Sequence, residues 1–118
     1  MSSKLKTTLY VIAVYLAILG ALFAFAPRTA ESVMGISLPD AALTLLYGQV
    51  SLTLAFMAYL TASGGLSSMV NGFLVLFGGH ILVFIYQLTA GISTFAQVGP
   101  PLVVSVIFTV LLFWFRRS

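Results

Sequence analysis

The sequence predicts an all-α integral membrane protein: a four-helix transmembrane bundle with a short amphipathic helix in its first outer loop. Three observations carry this. First, 61% of the 118 residues are hydrophobic and only 6% are charged, where soluble globular domains carry about 25% charged residues. A soluble fold with so few charges would expose large apolar patches, so the solvent that suits this surface is lipid. Second, the apolar segments are continuous runs without alternation, which selects helices over barrel strands. Third, proline, glycine and serine punctuate the gaps between the runs. The length fits one domain, residues 1–118.

The runs fall at about residues 8–26, 41–62, 70–90 and 98–115. A spanning helix needs about 20 predominantly apolar residues. The first three runs supply them, and the fourth does so by taking in Val98 and Gly99 beside Gln97. Pro27 closes the first run. Asp40, after Pro39, is placed to cap the second helix and to complement its dipole. The stretch SGGLSS at 63–68 is a turn, and Gly91 and Ser93 end the third run. Gly99-Pro100-Pro101 reads as the start of the fourth, with Pro101 at the first helical position. In the loop PRTAESVMGISLPD, Ala30, Val33 and Met34 fall at helical spacing and Gly35 is a natural stop. That segment is expected to lie as an amphipathic helix on the outer surface.

Basic residues set the expected orientation. Lys4 and Lys6 precede the first run, and Arg116 and Arg117 follow the fourth. An even number of spans puts both ends on one side, and the positive-inside rule makes that side cytoplasmic. The expected location is therefore the cell inner (plasma) membrane, multi-pass, with Arg28, Glu31 and Asp40 outside. Tyr10 and Trp114 fit interfacial anchors beside those charges. The net charge of +3 sits at the chain ends and in one loop, so it encodes topology and no nucleic acid partner. Lys4, Lys6, the apolar run and Ala24-Phe25-Ala26 also resemble a secretory signal with its cleavage site. Pro27 directly after that site disfavours cleavage, so the segment is read as a retained helix.

Within lipid, helices associate through small residues and polar contacts. The first run offers Ala13, Ala17, Ala21 and Ala24, with Gly20 beside them. The second offers Gly48, Ser51, Ala55, Ala58 and Ala62 on one face. The two stripes suit an antiparallel pair. The polar centre belongs to the third run. His80 lies near its middle, and Gln87 is two turns further on the same face, with Phe73, Phe77 and Phe84 along it. The second run adds Tyr47, Gln49 and Thr53, and the fourth adds Ser105 and Thr109.

Three readings of His80 stand side by side. A neutral His80 hydrogen-bonds to a Gln or Ser and fixes helix packing, a bond worth about 1 kcal/mol. Alternatively it floors an outward-opening cavity walled by Gln49, Gln87 and Tyr47. A third reading makes it a weak candidate axial ligand to haem or chlorophyll. The first is preferred, because a neutral imidazole costs far less in lipid than a carboxylate. No cofactor is predicted and no metal site.

Several chemistries lack their residues. Without cysteine there is no disulfide, thiolate site or nucleophilic thiol. One histidine cannot make a closed metal site within one chain. Both carboxylates, Glu31 and Asp40, belong to the loop. That leaves no buried acid for ion coupling and no acid at the depth of His80 for a catalytic triad. No Gly-rich phosphate loop is present. The composition points away from an enzyme, and no catalytic residue is assigned.

Three short motifs carry a resemblance. In LFAFAPRTAESVMGISLPDAALTLLYGQVSLTLAFMAYL, phenylalanine followed by Pro27 closes the first run, Gly35-Ile36-x-x-Pro39 forms a turn, and Leu46-Tyr47-Gly48 opens the second run. Over about the first half, the chain resembles small four-helix bacterial membrane proteins of the DUF4345-like group, distantly similar to DoxX-like proteins. The resemblance implies the fold and brings no catalytic residues. It also hints at a place near respiratory or redox complexes. The expected function is a non-catalytic accessory or scaffold subunit packing against a larger membrane complex, respiratory or photosynthetic. The alternative is a carrier or binding protein for a small hydrophobic ligand around His80. Expected partners are membrane lipids and other integral membrane subunits or further copies of the chain.

Overall fold

A computed structural model describes residues 1–35, 41–92 and 94–116, with only the backbone of Met34 and of residues 41–43. Asp40, Ser93 and Arg117 lie outside the described residues. The chain is helical throughout, with no strand among the described residues: α1 (Ser3–Phe25), α2 (Pro27–Met34), α3 (Ala41–Gly64), a 3-10 turn (Ser67–Met69), α4 (Val70–Thr89) and α5 (Phe95–Phe115). Four of these helices are long and apolar enough to cross a membrane.

α1 begins five residues before the predicted start. The Ser2 side chain caps it by accepting from the Leu5 N–H at 3.1 Å, which satisfies one of the amides a helix start leaves open. Leu5, Leu9, Ile12 and Leu16 then form one buried stripe, while Lys4 and Lys6 stay exposed. The two lysines hid that stripe from a reading based on unbroken apolar runs. α2 opens on Pro27 at a first-turn position and ends at Gly35, whose φ of 64° is the left-handed stop expected there.

α5 departs further from expectation. It starts at Phe95, so Pro100 and Pro101 lie inside the helix instead of opening it. Thr94 and Gln97 form a reciprocal capping box, and this nucleates the helix upstream of the prolines. The prolines lack the N–H groups that would bond back one turn, a loss helices in lipid tolerate more readily than soluble ones.

The helices are arranged α3–α1–α5–α4. α1 packs most extensively on α3, α4 on α5, and α1 also meets α5. The chain closes into a common core at the end that carries the termini. There Leu5, Leu9, Ile12, Leu16, Ala55, Ala58, Ala62, Val70, Phe73, Phe77, Phe108 and Leu112 form one cluster. Phe77 and Phe108 meet at 5.1 Å between ring centroids, and Tyr15 meets Phe108 edge-on at 5.5 Å. Nearer the α2 end burial thins: Leu82, Val83 and Tyr86 of α4 are all exposed.

α1 and α3 touch backbone to backbone at Gly20 and Gly48. A Cβ at Gly48 would lie 2.6 Å from the Ala24 nitrogen and 2.9 Å from the Gly20 oxygen. One at Gly20 would lie 2.8 Å from the Gly48 oxygen. Of the predicted stripes, Gly48, Ser51 and Ala55 are buried and Ala13, Ala17 and Ala21 are half-buried. The tightest point falls on Gly20, the neighbour of Ala21. Since backbone atoms cannot yield as a flexible side chain can, Gly48→Val should destabilise the protein by roughly 1–3 kcal/mol. Gly72, where an added Cβ meets nothing within 4 Å, is the control. Gly72→Ala should be neutral or stabilising by about 1 kcal/mol through helix propensity. Thermal unfolding in detergent compares the two.

Candidate functional site

The polar residues singled out in the sequence separate into local groups. On α3, the Gln49 side-chain nitrogen donates to Thr53 Oγ1 at 3.0 Å, and Thr53 donates to the Gln49 carbonyl at 3.0 Å. Both residues are exposed. The Tyr47 ring meets Phe23 of α1 edge-on at 5.1 Å. On α4, His80 lies between Phe77 and Phe84, 5.9 Å from each by ring centroid. No hydrogen bond joins His80 to Gln49 or Tyr47 among the described residues.

His80, Phe84 and Gln87 continue the stripe begun by Phe73 and Phe77. Phe73 and Phe77 are 3% and 0% exposed, but the next three are only half-buried. The stripe thus leaves the sealed core partway along α4. Among the described residues no group of three or more His, Cys, Asp or Glu could hold a metal. At the other end Lys4 sits over the Phe115 ring at 5.8 Å and Arg116 over Phe113 at 4.3 Å. Trp114 is 76% exposed, and Tyr10 pairs with Tyr59 at 5.9 Å. On α5, Ser105 is buried, and Thr109 Oγ1 is buried without a hydrogen-bond partner.

Among the described residues, a better-bounded cavity lies elsewhere. It has a volume of about 330 Å³ and runs between α1 and α5 under α2. Tyr15, Ile18, Leu19 and Leu22 line one side, Ala96, Gln97, Pro100, Pro101 and Val104 the other, and Val33 of α2 the top. The prolines that the sequence placed at a helix start serve here as cavity wall. Gln97 is the polar residue at its α2 end. Its Oε1 accepts from the Thr94 N–H at 3.1 Å, and its Nε2 donates to the Gly35 carbonyl at 3.4 Å. One side chain therefore caps α5 and ties it to the stop of α2. Ala30, fully buried, anchors α2 from below. Sequence reasoning missed this site because its walls come from three separate stretches. The signal available was the Thr-x-x-Gln box at 94–97.

No family model matches the chain, and neither the curated proteins nor the solved structures contain a match.

Gln97→Ala should remove both the reciprocal cap and the link to Gly35, costing about 1 kcal/mol. Amide hydrogen exchange should quicken in α2 and in the first turn of α5, with α3 unchanged.

Proposed function

We propose that this chain is a small, non-catalytic integral membrane protein that docks side-on, through α3, against other membrane-spanning helices as an accessory or scaffold subunit. The observation that supports this most is the Gln49–Thr53 pair on the exposed face of α3. α3 is also an end member of the helix row. The pair satisfies one amide N–H, and a carboxamide has a second N–H and a carbonyl besides. In hydrocarbon an unmet polar group costs several kcal/mol. A neighbouring helix that bonds the remaining groups removes that cost. Leu45, Phe56 and Leu60 flank the pair and are exposed, giving such a helix an apolar face to pack on.

A second reading, a binding protein for a small hydrophobic ligand, draws support from α4. There the stripe His80–Phe84–Gln87 emerges from the core half-covered. An apolar molecule with one hydrogen-bonding group would suit that face.

Purification in mild detergent followed by native mass spectrometry tests the first reading. The wild type should carry at least one other membrane protein. Gln49→Leu should weaken that association roughly fivefold, the value of an interhelical bond of about 1 kcal/mol. Recovery of the chain only as a monomer or as copies of itself overturns the subunit reading.

A further inference from the structure

The cavity between α1, α2 and α5 differs from the other hollows on this molecule. One of those lies along α1 alone, from Thr7 to Ile18, and another is a shallow trough between α1 and α3 beside Tyr10 and Phe56. Bulk lipid tails fill surfaces of that kind. The α1–α2–α5 cavity is instead bounded by three elements, with Val33 of α2 at its top.

Its shape and chemistry restrict the occupant. A volume of about 330 Å³ is at the small end of ligand pockets, which run to roughly 1,000 Å³. A flat macrocycle or a two-tailed lipid asks for more. From Leu22 to Tyr15 on α1, and from Gln97 to Val104 on α5, the lining spans eight residues, or about 10 Å of helix axis at 1.5 Å per step. That length takes in about half of a long hydrocarbon chain. Its walls are apolar apart from Tyr15 and Gln97, and Gln97 marks the α2 end. The Gln97 carboxamide has a second N–H besides the one directed at Gly35. That donor suits an acceptor head group at the mouth, with a hydrocarbon tail directed toward Tyr15 and Val104.

We propose that this cavity binds one free long-chain fatty acid, its carboxyl group at Gln97 and only the carboxyl half of its chain between α1 and α5. The site rests on the chain being embedded in a membrane, where such molecules partition, and it is independent of a subunit docked on α3.

A fatty acid carrying a diazirine in the carboxyl half of its chain tests the site on the full-length protein in phospholipid vesicles. After irradiation, peptide mass spectrometry should place the label on the 15–22 and 96–104 segments, with excess unlabelled oleate reducing it at least fivefold. Leu22→Trp and Ile18→Trp, each filling the cavity, should lower that label to a similar extent while the protein still elutes as a single species. Val75→Trp, on the exposed face of α4, should leave it unchanged. A diazirine phospholipid should label the exposed face of α4 around Val75 and Leu82, which reports embedding by itself, and should spare the cavity. The proposal is overturned if the fatty acid labels α4 as heavily as the cavity segments. It is equally overturned if oleate fails to compete, or if the phospholipid labels the cavity as well.

Discussion

The contact on which the rest of this structure depends is the meeting of two backbones at Gly20 and Gly48. At that point α1 and α3 come so close that even a methyl group on either glycine would collide with main-chain atoms of the other helix. In lipid, where burying one apolar side chain against another gains little, such proximity is the main source of attraction between helices. It commits one side of α1 to α3. The stripe Leu5–Leu9–Ile12–Leu16 runs into Gly20 on that same face, and the side chains of Tyr15, Ile18 and Leu22 are left to face another helix. α5 takes that position, and α4 rests on α5. The helix order follows from one pair of glycines with the chain's own connectivity.

The same pairing explains why the two ends of the molecule differ. At the end carrying the termini, large side chains fill the space between all four long helices: Leu5, Leu9, Phe73, Phe77, Phe108 and Leu112 are buried there. At the α2 end, small residues hold α1 to α3. The residues α1 presents to α5 meet alanine and two prolines instead of another row of leucines. Pro100 and Pro101 cannot extend toward α1 as leucine would. Gln97 directs its carbonyl oxygen at the cap of α5 and one N–H at Gly35. A gap between α1 and α5 results, and α2, pinned by the buried Ala30, lies over it.

The parts of this arrangement that were legible in the sequence are those written in consecutive residues. Four apolar runs, the stop at Gly35 and the turn around Gly65 could be read one at a time, because a helix and its caps are local. So could the placing of Thr53 one turn from Gln49, since residues four apart share a helix face. Two features resisted for different reasons. The start of α5 was obscured because two adjacent prolines are a strong breaking signal, and a capping box four residues long outweighed it. The cavity was obscured because no single stretch contains it. Val33, Leu22 and Pro100 have nothing in common until three helices are in place.

The polar residues show what that difference means for function. A histidine alone in an apolar helix draws attention first, but His80 is framed by Phe77 and Phe84 of its own helix. Those rings cover much of it without asking anything of its nitrogens. Gln49 is chemically blander, yet it is exposed and has more hydrogen-bonding capacity than its partner Thr53 takes up. In hydrocarbon the cost of a polar group depends on what is left unmet, not on how unusual the residue is. By that measure, on the proposal that the chain lies in a membrane, the α3 face is a stronger docking surface than the face of the histidine. The α4 stripe, half-covered and lined by rings, is better suited to a small molecule than to a second helix. The two faces belong to opposite ends of the helix row, so occupation of one does not block the other.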